Sequence, residues 1–255
     1  MRKAIFLLLS SCILFWYSSK AQKIKLGLNA GVSIPELKSN NSNELSQGYK
    51  SRLASTFGAF ADFNIDKTFS IKTFINYAGQ GGKRTGMQPV TDIPPALSSM
   101  IPPGTLLYAD FKNVSALDYL EIPVMAKWEW GNSWRYYVDI GPYVGFLLAA
   151  KQKTSGSSQL YFDSGGTQPV EISGQPLPPQ SFDATTDVKS SLKTTNFGIT
   201  GGAGISKNMG KCGDLILDVR AADGLTTIQK DKQDDGKNHT GGLFITLGYA
   251  ILLKH

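Results

Sequence analysis

From Ile24 onward, apolar side chains recur at every second position. Ile24, Leu26, Leu28, Ala30, Val32 and Ile34 hold one parity, and Lys25, Gly27, Asn29, Gly31 and Ser33 the other. A period of two belongs to a strand whose two faces meet different surroundings. The pattern returns over Leu53 to Ile65, with Phe57, Ala59, Ala61, Phe63 and Ile65 opposed to Thr56, Gly58, Phe60, Asp62 and Asn64. It returns again over Phe69 to Ala78, where Ile71, Ile75 and Tyr77 oppose Ser70, Lys72, Phe74 and Asn76.

The run from Tyr119 to Trp130 is the clearest. Leu120, Ile122, Val124, Ala126, Trp128 and Trp130 alternate with Tyr119, Glu121, Pro123, Met125, Lys127 and Glu129. A helix would scatter these charges around its axis, whereas a strand collects them on one face. Further strands are predicted over Arg135 to Ala149, Leu192 to Ser206, Asp214 to Ala221 and Leu243 to Leu253, about eight in all. Pro123 and Pro142 fall inside predicted strands and count mildly against them.

The connections alternate as strictly as the faces. They run long (Pro35 to Lys50), short (Asp66-Lys67), long (Lys83 to Leu117), short (Gly131 to Ser133), long (Lys151 to Ser191), short (Lys207 to Gly213) and long (Asp223 to Thr240). Short periplasmic turns alternating with long extracellular loops mark transmembrane barrels of bacterial outer membranes. The expected fold is therefore all-β, an eight-stranded antiparallel up-and-down transmembrane barrel, with both termini on the periplasmic side.

Composition supports this reading. The chain has 255 residues, 41% hydrophobic and 18% charged, with 27 glycines. That is too polar for a helical membrane protein and poorer in charge than soluble domains, which average about 25%. After the first twenty residues no apolar run reaches the length of a spanning helix.

Residues Met1 to Ala21 read as a signal peptide, with basic Arg2 and Lys3, an apolar stretch from Ala4 to Tyr17, and small Ser19 and Ala21 before the cut. The mature domain is then 22–255. A retained anchor, or lipidation at Cys12, is the weaker reading. Losing three leader cations lowers the net charge from +6 to +3 and leaves no basic tract for nucleic acid. Cys212 is then the only cysteine, so an intrachain disulfide is excluded.

An eight-stranded barrel encloses just enough room for side chains. The polar parity sends Lys25, Lys72, Lys127, Arg135 and Arg220 inward, against Asp62, Glu121, Glu129, Asp139 and Asp218. Matched charges in a narrow lumen favour a plug of ion pairs over an open pore, because unpaired buried charge is costly. The apolar parity sends Tyr77, Trp128, Trp130, Trp134, Tyr136 and Tyr249 toward the membrane interfaces, where amphipathic rings are favoured.

The run Tyr119-Leu120-Glu121-Ile122-Pro123-Val124-Met125-Ala126-Lys127-Trp128 resembles the "YLEIP" strand of the PorT-like outer membrane β-barrel proteins of Bacteroidetes. The Ala21-Gln22 junction, the Gly-rich strand Asn196 to Ser206, and Leu247-Gly248-Tyr249 are similar to that family too. The resemblance implies an eight-stranded outer membrane barrel and, through the founding member, a link to protein secretion. The end Ala250 to His255 departs from it, since such barrels often finish on an aromatic residue.

Candidate chemistry is sparse. His239 and His255 are the only histidines, and no nucleophile motif frames His239 with Asp223 or Asp234, so no enzyme activity is expected. Asp231 to Asn238 resembles half of a calcium loop but has Gly242 where the closing Glu belongs. No metal and no cofactor is expected. Met100, Ile101, Leu106, Leu107 and Tyr108 make the second long loop more apolar than solvation requires, suiting a lid over the mouth or a contact site.

The expected function is a closed structural or interaction barrel. Its partners would be outer membrane lipid and, through the loops, other envelope or secretion proteins. A small-solute channel and a soluble periplasmic ligand-binding barrel are the alternatives.

Overall fold

The computed structural model describes residues 23–39, 43–90, 101–102, 104–231 and 236–253. The leader, Gln22, Met100 and most of the calcium-like segment, 232–235, lie outside the described residues. Eight long strands form the body: β1 (Ile24–Ser39), β2 (Ala54–Asn64), β3 (Phe69–Val90), β4 (Leu107–Gly131), β5 (Trp134–Ser155), β6 (Thr195–Asn208), β7 (Asp214–Gly224) and β8 (Asn238–Leu253). Each pairs antiparallel with its sequence neighbours, and β8 pairs with β1 from Ile24↔Leu253 to Ser39↔Asn238, so the sheet closes on itself. Closure leaves no unpaired edge, the condition for a sheet to cross hydrocarbon. No helix among the described residues is long and apolar enough to cross a membrane.

The apolar parity faces outward on every strand: Leu28, Phe57, Ile75, Val124, Ile140, Ile199, Leu217 and Leu247 are all exposed. An apolar surface of this extent cannot stay in water. The opposite parity packs inside, with Phe60, Phe74, Met125, Tyr137 and Ile216 in one buried cluster. Inward glycines make room for the rings. At Gly204 an added Cβ would fall 2.3 Å from the Tyr137 ring, and at Gly27 the same distance from Phe60.

Both prolines lie within strands, and the ladder yields around them. Pairing of β3 with β4 skips from Thr73↔Val124 to Asn76↔Glu121, and the Thr73 hydroxyl donates to Pro123 O at 2.9 Å. Pairing of β4 with β5 skips from Pro123↔Tyr143 to Ala126↔Ile140, opposite Pro142. At the short end Asp66 organises the β2–β3 turn by accepting the amides of Thr68 and Phe69 at 2.7 and 2.8 Å. Those two bonds favour the carboxylate and hold its pKa below the ordinary value.

Three expectations are corrected at the long-loop end. The connection from Lys83 to Leu117 is mostly strand, because β3 and β4 continue their ladder to Val90↔Leu107. The link from Lys151 to Ser191 likewise begins as strand, and Ala184–Asp187 pairs with Lys151–Thr154 of β5. In this projecting sheet Ile101, Leu107 and Ala109 bury with Val90, Phe111, Leu160 and Val170. The apolar residues of the second loop thus form a small core with the third loop, not a cover for the mouth; Tyr108 bridges to Tyr161, and Leu106 stays exposed.

The cover is built from other residues. Leu192 and Ile228, from the third and fourth loops, pack on inward Leu37, Leu117, Tyr119, Leu147 and Ala150, with Tyr49 alongside.

β5 also carries an irregularity that the periodicity does not reveal. Asp118 pairs with Ala149 and Tyr119 with Leu147, leaving Leu148 as an extra residue in a bulge. Below it Tyr137, Asp139, Tyr143 and Leu147 are buried in the lumen; above it the buried parity passes to Ala150.

The Gly204 contact sets an expectation. Gly204→Val should lower stability by more than about 2 kcal/mol, because overpacking displaces Tyr137. Gly201→Ala, whose Cβ meets nothing nearer than 3.4 Å, should stay within about 0.5 kcal/mol. Urea unfolding of both variants in detergent micelles measures the difference.

Candidate functional site

The polar face of the strands converges on the lumen, where the ten charges assigned inward fall into tiers. Nearest the short turns, Lys25 of β1 lies 3.1 Å from Asp214 and 3.9 Å from Glu129. Arg135 of β5 spans the same two carboxylates, bonding Asp214 and reaching Glu129 at 3.1 Å. Lys127 of β4 bonds Asp62 of β2 and Glu129, both at 2.6 Å. Asp62 is placed for this by its register, opposite Lys25 on one side and Lys72 on the other.

The middle tier centres on Lys72. Its ammonium lies 3.8 Å from Asp218 and 4.0 Å from Asp139, and it sits over the rings of Phe60, Phe74 and Tyr137 at 5.0, 4.7 and 4.7 Å. Arg220 bonds Asp218 at 2.9 Å and stacks 4.0 Å above Phe74. The Tyr137 hydroxyl donates to Asp218 at 2.6 Å. Charge that cannot reach water is here spread over carboxylates, a phenol and aromatic faces.

The third tier is largely neutral. Glu121, read from sequence as an ion-pair partner, has no cation within 4.0 Å among the described residues; it accepts from Gln80 Nε2 at 2.8 Å. Beside it Asn196 donates to Thr240 at 2.6 Å and accepts from Thr226 at 2.8 Å. The cavity between Asn76, Glu121, Tyr143, Thr200 and Arg220 has a volume of about 10 Å³, room for a single water.

One member of the lumen was missed. Asp214 lies on the same face of β7 as Asp218; the alternation already gave it that parity, but the set of lumen charges left it out. With it the inward set is five cations and six anions.

The six aromatics stand on the outer face. Trp128, Trp130, Trp134, Tyr136 and Tyr249 gather at the short-turn end, where Phe69 packs against Trp128 with centroids 5.3 Å apart and Tyr249 donates to the Cys212 carbonyl. Tyr77 sits at the opposite end of the wall, stacked on Phe57 at 4.9 Å.

The candidate chemistry does not assemble. His239 is not in a loop: it opens β8 opposite Lys38, its Nδ1 3.2 Å from the Gly224 carbonyl. Asp223 pairs with Lys38 at 2.7 Å, Asp234 and His255 lie outside the described residues, and Cys212 is exposed in the turn before β7. Among the described residues no three His, Cys, Asp or Glu side chains are grouped to hold a metal ion.

The middle tier predicts strong coupling. Lys72→Met should cost about 3–5 kcal/mol, since it leaves buried Asp139 without an ion-pair partner among the described residues, while Asp218 keeps Arg220 and Tyr137. Adding Asp139→Asn should return part of that loss. Unfolding of the single and double variants in micelles reads the non-additivity.

Among solved structures, neisserial surface protein A superposes with a TM-score of 0.37 at 12% identity, over 89% of this chain and 96% of that one. Ail, the attachment invasion locus protein of Yersinia pestis, superposes with a TM-score of 0.35 at 13% identity, over 89% and 98%. A second Ail structure, in complex with the heparin analogue sucrose octasulfate, gives 0.35 at 14%, over 90% and 99%. No curated protein matches the sequence. The model of the outer membrane protein beta-barrel domain matches residues 18–230, most of the closed ring just described, and the chain belongs to that family.

Proposed function

We propose that the protein is a closed interaction barrel of the outer membrane, which holds its loop sheet at the cell surface for contact with other envelope proteins. The observation that supports this is the filled lumen: among the described residues, ion-paired tiers, a water-sized cavity and the Leu192–Ile228 cover occupy the inside of the ring. What remains as working surface is the projecting sheet of β3, β4 and β5 with its own core. That core fixes the shape of the loops, as a recognition surface requires.

The resemblance of Tyr119 to Trp128 to the PorT-like proteins supports secretion components of Bacteroidetes as the partners. The leader supports export with cleavage after Ala21. The six outward aromatics would fix the barrel's depth in the bilayer.

Two measurements test this. In planar bilayers the purified protein should conduct at background, and steps of stable conductance would return the channel reading. Affinity capture from native membranes in mild detergent should recover a stoichiometric envelope partner together with a chain beginning at Gln22. Capture of the barrel alone would defeat the interaction reading.

A further inference from the structure

Above the lipid-facing wall the outer surface changes from apolar to basic. Lys83 of β3 pairs with Val114 of β4, which pairs with Lys153 of β5, and directly paired residues share a face. Ala116 likewise connects Gly81 to Lys151, and Lys112 lies between Thr85 and Ser155. Lys50 joins at the margin through its bridge to Lys83. All five lysines are exposed, on one face of one sheet.

Strands about 4.8 Å apart put the Lys83 and Lys153 backbones about 10 Å from each other, with Lys151 about 7 Å along the strand from Lys153. Asp187 faces Lys151, and Asp110 lies two residues beyond Lys112. Neither comes within 4.0 Å of these lysines, and none of the five lysines forms an ion pair among the described residues. Lys50 and Lys83, bridged directly opposite each other, repel, and an anion bound between them relieves that repulsion.

The bulge at Leu148 turns two of the five lysines outward. The lumen parity of Tyr137 to Leu147, continued without it, would aim Lys151 and Lys153 inward. The patch also has a definite height. Leu53 and Leu148, both exposed apolar residues of the wall, lie three positions from Lys50 and Lys151 along the chain. Lys189 donates to the Leu148 carbonyl at 2.7 Å, adding a cation at the same level.

We propose that Lys50, Lys83, Lys112, Lys151 and Lys153 form a binding surface for the phosphorylated headgroup of an outer-leaflet glycolipid. Ammonium groups offer several donors each and suit phosphate as point charges. Their position just above the apolar wall places them where such headgroups sit, with the acyl chains lying against the strands below. This inference does not depend on the interaction reading, and it makes the barrel selective for the lipid around it.

The test uses the full chain in detergent micelles supplied with diphosphoryl lipid A or with lipid A stripped of both phosphates, read by native mass spectrometry. The wild type should retain the diphosphoryl form at least tenfold more. Lys83→Gln, Lys112→Gln, Lys151→Gln and Lys153→Gln combined should abolish that preference, and Arg at the same four positions should keep it. Equal retention of the two lipids by the wild type, or an undiminished preference in the Gln variant, overturns the proposal. So does salt-sensitive binding of soluble heparin without lipid preference, which would assign the patch to a sulfated glycan. A second measurement needs no variant: diphosphoryl lipid A should slow acetylation of these lysines at least threefold in the wild type, and unslowed acetylation also refutes the site.

Discussion

A backbone in hydrocarbon has no water to bond, and everything else in this protein follows from that constraint. The eight strands meet it by closing through the β8–β1 ladder. A closed ring of eight is narrow, so its interior must be filled by the inward side chains. The outward parity then has to be apolar and the inward parity has to pack against itself. Gly204 beside Tyr137 and Gly27 beside Phe60 show how tight that packing is.

Filling a lumen with charge instead of methyl groups is a particular solution. Lys72 is held by two carboxylates and three aromatic faces, and Lys127 by Asp62 and Glu129. Such sets cost desolvation energy that apolar packing would not. What they add is directionality: each ion pair is satisfied at one strand register only, and a slip by one residue would turn the charges toward lipid.

The membrane-spanning part of this design was legible in the residues, and the rest was not, for a physical reason. Between two surroundings as different as lipid and lumen, alternation is enforced, so Leu120 to Trp130 declares its faces. Beyond the bilayer both sides of the β3–β4 hairpin meet water or other loops, the constraint lapses, and strand continued where a loop was expected. The charges of the lumen were readable by parity. Their partners were not, because Arg135 of β5 meets Asp214 of β7 past the strand between them, and Glu121 meets Gln80 of the adjoining β3 four residues along from Asn76, which it directly opposes. A bulge like that at Leu148 leaves no composition signal and appears only in the pairing.

The ion pairs also bear on how the barrel forms. Lys127 and Asp62 are 65 residues apart, Arg135 and Asp214 are 79 apart, and Lys25 of the first strand meets Asp214 of the seventh. Pairs such as Arg135–Glu129 and Arg220–Asp218 form within one hairpin, but Asp62, Lys25 and Lys72 find their partners on strands that are not their neighbours. A partly assembled sheet would therefore carry exposed cations and anions that hydrocarbon rejects, and only the complete ring removes them. The lumen charges thus act as a proofreading condition on insertion: they make the half-built barrel unstable in the bilayer and tie membrane entry to closure.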